Sequence, residues 1–284
     1  MMNFDKKFLQ LFIQQALSED IGNGDHTSLA TIPANTQGTA KLLIKDNGIL
    51  AGESVAREIF KAVDDQLVVE TMIQDGQPIY KNDIVLYVSG SVHSILAAER
   101  LVLNTMQRMS GIATTTSYVV DALRGTNTKV LDTRKTTPGI RYLEKLAVKI
   151  GGGENHRFGL YDAILIKDNH VDYAGGITQA ITAAHQYIEK NELHIPVIIE
   201  VRDLLELNEV INIGGVDRIL LDNFDYDQLR EAVTFIDGRF ATEASGNITL
   251  SNVSKYAACG VDYVSMGAIT HSAKILDMSL KAIK

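Results

Sequence analysis

The sequence predicts an α/β protein: an irregular α/β barrel preceded by a smaller α+β domain. Three observations carry this expectation. First, 284 residues are long for one small domain and short for three, which suits a barrel-sized unit with an appendage. Second, short apolar runs near 129–132, 163–168, 196–201, 218–222, 239–245 and 262–267 alternate with helical stretches at 177–190, 204–211 and 226–234. That alternation is the rhythm of βα units and a parallel sheet, and six strands fall short of the eight of a closed barrel. Third, residues 1–110 follow a different rhythm, in which strands and turns sit between two helices.

The elements follow in order. Phe8, Leu9, Phe12, Ile13 and Leu17 recur at helical spacing, so residues 4–18 form an amphipathic helix. The loop DIGNGDHTS brings Asp20, Asp25 and His26 together. Its Gly, Asn and Asp content reads as a turn rather than a metal site. Residues 38–52 tend to strand, with Asn47-Gly48 as a hairpin mark. Glu53 to Ala62 reads as a helix, and 67–73 and 84–88 as strands; GQPIYKNDIVLYVSG has the turn–strand rhythm of a small β sandwich. A long helix starts at Ser94 and is expected to end at Ser110-Gly111. The domains are therefore placed at 1–111 and 112–271, with a last helix at 272–284 packing back on the first.

Composition sets limits. The chain is 45% hydrophobic and 22% charged, as in ordinary globular proteins, with four prolines and no low-complexity tract. A single cysteine, Cys259, excludes an internal disulfide framework and a cysteine-based zinc site. Its setting, KYAACGVDYV, reads as a buried structural thiol. No segment approaches the ~20 apolar residues of a membrane span, and the start of the chain has no continuous apolar core or small-residue cleavage site. The expectation is a cytoplasmic protein with no membrane partner. With 27 Lys+Arg against 35 Asp+Glu, the net charge is −8, which argues against a nucleic-acid surface.

Against that acidic background, Asp132 to His170 stands out. It gathers Arg134, Lys135, Arg141, His156, Arg157, Lys167 and His170 around Gly151-Gly152-Gly153. Such a cluster suits a pocket for a small, multiply charged anion, because guanidinium forks grip carboxylates and phosphates two oxygens at a time. Arg141, Glu144, Lys145 and Lys149 are read instead as the solvated face of a helix. Polar residues also sit at every strand end: Asp132-Thr133-Arg134-Lys135, Lys167-Asp168-Asn169, Glu200, Asp222-Asn223, Glu243-Ala244-Ser245 and Ser265-Met266-Gly267. In α/β barrels that end builds the active site. Glu200 and Asp222 could hold Mg²⁺ through oxygen ligands. Ser245-Gly246-Asn247 and Met266-Gly267-Ala268 each follow a strand and are expected to open a helix, where a glycine lets phosphate approach free backbone N–H groups.

These blocks resemble the quinolinate phosphoribosyltransferase family. They are EDIGNGDHTS, AERLVLNTMQRMSGIAT, the stretch from Asp132 to His170, LLDNF, EASGNITL and VDYVSMGAITHS. The resemblance implies an N-terminal α/β sandwich domain, an open α/β barrel, and homodimers or larger homo-oligomers with shared sites. It implies conversion of quinolinate and 5-phosphoribosyl-1-pyrophosphate, with Mg²⁺, into nicotinate mononucleotide, pyrophosphate and CO₂. It assigns the two carboxylates of quinolinate to Arg134, His156, Arg157 and Lys167, with Thr133 beside them and Arg100 reaching in from the partner subunit; read by itself, Arg100 is a solvated helix arginine. Phosphate groups go to Lys135, Ser245-Gly246-Asn247 and Met266-Gly267-Ala268. Glu200 and Asp222 take the ribose hydroxyls or Mg²⁺. Lys135, Lys167, Glu200 and Asp222 form the catalytic set. His271 matches a histidine of the family's closing THS, with a structural part equally open. Two departures stand out: Ile198 where the family often has an acid, and Asn247 where it often has glycine. The rival readings are a nicotinate phosphoribosyltransferase and a non-catalytic binder of phosphorylated metabolites.

Overall fold

The computed structural model describes residues 6–283. In chain order the elements are α1 (Lys6–Ile21), α2 (His26–Thr31), β1 (Gln37–Ile44), β2 (Gly48–Ile49), α3 (Glu53–Val63), β3 (Val68–Thr71), β4 (Pro78–Ile79), β5 (Ile84–Ser91) and α4 (Val92–Ala122). Then come β6 (Lys129–Leu131), α5 (Arg141–Ile150), β7 (Ile164–Ile166), α6 (Asp168–Ala174), α7 (Ile177–Lys190), β8 (Val197–Val201), α8 (Leu204–Ile213) and β9 (Arg218–Asp222). The chain closes with α9 (Tyr226–Ile236), β10 (Ala241–Ser245), α10 (Val253–Ala257), β11 (Tyr263–Ser265), α11 (Ala268–His271) and β12 (Met278–Ile283). Two compact units result. One runs up to Ser117 and takes in Thr136–Gly152 and the segment from Thr270 on; the other comprises Tyr118–Lys135 and Gly153–Ile269.

In the first unit an antiparallel sheet has the order β12-β1-β5-β3. Leu42 pairs with Leu280 on one side and Leu86 on the other. Leu42 and Leu86 are fully buried, as are Ile59 and Phe60 of α3 and Met106 of α4. Several local expectations change here. The segment expected as a C-terminal helix is the strand β12, because its backbone pairs along β1, with Met278 and Leu280 buried. Asn47-Gly48 does not close a hairpin: β2 pairs with β4, and the Asn47 side chain accepts the Lys81 N–H at 2.9 Å. Gly48 is needed for closeness, since a Cβ there would meet Thr114 Oγ1 at 2.4 Å. Gly111 likewise does not end α4, which continues to Ala122. A Cβ at Gly111 would stand 1.9 Å from the Lys274 carbonyl oxygen, so this glycine lets main chain lie against the helix. In the loop before α2, Asp25 caps that helix, accepting the N–H groups of Thr27 and Ser28.

In the second unit six parallel strands form one sheet, ordered β6-β11-β10-β9-β8-β7. Its two edges, β6 and β7, are not paired with each other, so the barrel is open. The strands are buried on both faces, as parallel strands are: every residue of β8 is buried, with Ile219 to Leu221, Ala244 and Val264. Outer helices supply Ile181, Leu207, Val210, Leu229 and Ile236. Because all six strands run the same way, their C-terminal ends share one edge of the sheet.

Candidate active site

Strand register places the polar groups. In the parallel pairs Glu200 lies level with Leu220, and Leu220 with Glu243. Side chains two apart along a strand share a face, so Glu200, Arg218, Asp222, Glu243 and Ser245 point to one side of the sheet. Ile198 lies on that side too and is buried. A band of charges thus stands where an all-apolar core would place leucines.

The cationic loop after β6 and the loop after Gly153 are tied by Asp132. This carboxylate is fully buried. It accepts Asn155 Nδ2 at 2.6 Å and the His156 backbone N–H at 2.9 Å, while the Asp132 N–H goes to the Glu154 carbonyl at 3.1 Å. One residue on, the Arg157 backbone N–H donates to His156 Nδ1 at 2.7 Å. Arg157 Nη1 donates to the Ala163 carbonyl at 3.1 Å. Asp162 then takes the N–H groups of Phe158 and Gly159 at 2.6 and 2.8 Å. Arg157 is thereby set in a loop held at both ends. Burial and the neighbouring Arg134 charge push its guanidinium below the ordinary arginine value. It stays protonated, so the Arg134 and Arg157 charges lie near enough to influence one another.

Lys167 and Glu200 meet directly, Nζ to Oε2 at 2.6 Å. The lysine side chain is 46% exposed and the carboxylate 7%. His170 is turned back, its Nδ1 accepting the Lys167 N–H at 2.9 Å. At the end of β9, Asp222 accepts Asn223 Nδ2 at 2.7 Å. Asn223 and Asn247 both have left-handed backbone, φ 57° and 52°; asparagine tolerates this. Between them Gly246 has φ 99°, and a Cβ there would fall 2.1 Å from Asn223 Oδ1. This turn does not open a helix, contrary to expectation. The chain crosses to Val253 before the short α10 begins, and Asn252 Nδ2 spans the gap to the Asn247 carbonyl at 3.2 Å. The Met266-Gly267-Ala268 turn does open one, α11. Met266 is buried, its N–H bound to the Leu131 carbonyl at 2.9 Å. Thr133 accepts the Lys135 N–H on its hydroxyl at 3.0 Å, and the Arg134 and Lys135 side chains are exposed.

The second unit thus holds Thr133, Arg134, Lys135, His156, Arg157, Lys167, Glu200, Asp222 and both glycine turns. Arg100 lies in the first unit, exposed on α4. Arg218 and the holds of Asp132 and Glu243 escape sequence reasoning, because their partners are distant in the chain; Asp162 binds only near neighbours and reads as an ordinary loop acid.

The comparisons decide the family. The model for the quinolinate phosphoribosyl transferase C-terminal domain matches residues 112–281, and that for its N-terminal domain matches 25–110. The chain belongs to the quinolinate phosphoribosyltransferase family. It is 48% identical over 284 residues to quinolinate phosphoribosyltransferase (decarboxylating) 1b of Nicotiana tabacum, covering 95% of this chain and 81% of that one. It is 46% identical to the chloroplastic nicotinate-nucleotide pyrophosphorylase (carboxylating) of Arabidopsis thaliana, over 96% of this chain and 82% of the relative. The crystal structure of NadC from Streptococcus pyogenes superposes with a TM-score of 0.93 and 38% identity over 100% of both chains. Human nicotinic acid phosphoribosyltransferase, at 12% identity and a TM-score of 0.64 over 96% of this chain and 74% of that one, shares the fold alone. The fold therefore does not choose between quinolinate and nicotinate; membership of the family does.

Proposed function

We propose that the second unit carries the whole catalytic set for a decarboxylating phosphoribosyl transfer. The reaction joins quinolinate to 5-phosphoribosyl-1-pyrophosphate and yields nicotinate mononucleotide, pyrophosphate and CO₂, a step of NAD biosynthesis. The observation that carries the assignment is the loop that Asp132, His156 and Asp162 hold beside the end of β6, which sets the Arg157 guanidinium within reach of the Arg134 charge.

Arg134, Arg157 and Lys167 hold the two carboxylates of quinolinate, and Thr133 fixes the strand end that presents them. Lys135 and the Ser245-Gly246-Asn247 and Met266-Gly267-Ala268 turns hold phosphate groups. Glu200 and Asp222, on one face of neighbouring strands, take the ribose hydroxyls. Among the described residues no group of three or more His, Cys, Asp or Glu could cage a metal. The two acids fit instead an ion that shares its shell with substrate oxygens and water. Mg²⁺, arriving with the phosphoribosyl substrate, would supply charge for the departing pyrophosphate. Before substrates enter, Lys167 and Glu200 neutralise one another; substrate releases the lysine to a carboxylate and the acid to ribose. The pyridine nitrogen displaces pyrophosphate at the ribose C1, and fixed cations stabilise the leaving group. The alkylated ring then accepts the electron pair left as the adjacent carboxylate departs as CO₂, and that carbon is protonated.

The same proposal has Arg100 complete a neighbour's site in a homodimer or larger assembly. Its exposure on α4, one turn from the 38%-exposed Leu96, supports this. It also places the enzyme in the cytoplasm. In support, Cys259 is a buried free thiol, and among the described residues no helix is long and apolar enough to cross a membrane. Mixing Arg100→Ala with Arg157→Ala tests sharing: restored turnover supports it, and no restoration despite subunit exchange rejects it.

A further inference from the structure

Glu243 has no part in the chemistry above, yet it is fully buried at the base of the cationic loop. Its Oε2 accepts Arg218 Nη1 at 2.9 Å and lies 3.5 Å from His156 Nε2. The Arg218 guanidinium stacks over Tyr263 at 4.3 Å from the ring centre. Oε1 of Glu243 and Nε of Arg218 are buried without hydrogen-bond partners, and so is Nε of Arg157. An ion pair kept only for stability would satisfy its lone pairs and protons.

The histidine gives the reason. Its Nδ1 accepts the Arg157 backbone N–H, which requires that nitrogen to be unprotonated; the ring proton then sits on Nε2, the atom that faces Glu243. In the opposite tautomer Nδ1–H would oppose the Arg157 N–H, and an unprotonated Nε2 would face a carboxylate. Glu243 therefore selects the tautomer. The His156 imidazole, 7% exposed, passes that choice to the main chain of Arg157.

We infer that Glu243 is a positioning residue for the transfer reaction: through His156 it fixes the backbone of Arg157 and hence where that guanidinium meets substrate. The inference rests on the proposed role of Arg157. It also gives His156 a task at its ring nitrogens that differs from contact with quinolinate.

The rival account is that Glu243 merely neutralises Arg218. Three variants separate them: Glu243→Gln, Glu243→Leu, and the double Glu243→Leu/Arg218→Met, which removes the buried pair together. Histidine ¹⁵N NMR on the ligand-free enzyme, with His156 assigned through His156→Gln, should show protonation at Nε2 alone in the parent and a changed signature in both single variants. The quinolinate KM should rise roughly tenfold in Glu243→Leu with the phosphoribosyl pyrophosphate KM nearly unchanged, and the double variant should regain thermal stability but not the quinolinate KM. An unchanged His156 signature in Glu243→Leu, or recovery of that KM in the double variant, overturns the inference. An unchanged quinolinate KM in Arg157→Ala would sink the underlying reading instead; it is distinguishable because the ring signature is read without substrate.

Discussion

Two buried ion pairs of the same chemical type behave differently. In the first unit Glu144 is fully buried, and its Oε1 accepts Arg108 Nε and Nη2 at 2.9 and 2.8 Å. Thr137 adds its hydroxyl at 2.8 Å and its N–H, to Oε2, at 3.0 Å. Arg108 gives two further donors to the carbonyls of Thr270, 2.7 Å, and Ala273, 3.0 Å. In the second unit Arg218 and Glu243 share one bond and leave buried atoms unmatched. The closed pair is architecture that joins three distant segments. The open pair lies against His156, beside the residues proposed to meet substrate.

The comparison can be broken by substitution. Glu144→Leu should cost the most stability, about 3–5 kcal/mol, because it strands a charged guanidinium together with the Thr137 N–H and hydroxyl; urea unfolding would measure it. The double Arg108→Met/Glu144→Leu should recover a good part of that loss. At the open end, Arg157→Ala should lower kcat/KM for quinolinate a few hundred-fold, about 3 kcal/mol or more, by stranding a carboxylate. Its unfolding midpoint should move little, which steady-state kinetics beside a thermal melt would show.

Smaller effects sharpen the contrast between turn and pocket. Gly246→Ala forces a Cβ onto Asn223 at a φ of 99°. The KM for phosphoribosyl pyrophosphate should rise about tenfold, with the quinolinate KM steady. Asn247→Gly relieves a left-handed asparagine at φ 52° and should change stability by less than about 1 kcal/mol. A large loss there would mean that the Asn247 side chain serves the site itself.

The barrel was legible because buried parallel strands are short apolar runs and their polar ends are abrupt. Glu200 and Asp222 could be picked out for that reason, and Arg157 from the cationic cluster around the glycines. What the sequence hides is long-range pairing. Glu144 and Lys145 read as a solvated helix face, yet both are fully buried, because their setting depends on residues such as Arg108, 36 positions upstream of Glu144. Gly111 reads as a stop and is a point of contact with main chain at Lys274. The strand β12 reads as a helix because six residues contain too few periods to choose between. Only its partner β1, more than two hundred residues earlier, makes it a strand.

The most direct test is to incubate the purified protein with Mg²⁺, 5-phosphoribosyl-1-pyrophosphate and either quinolinate or nicotinate, following pyrophosphate and CO₂ together. The account predicts equal release of both from quinolinate and none from nicotinate. Pyrophosphate from nicotinate without CO₂, or ligand binding without any turnover, would contradict it.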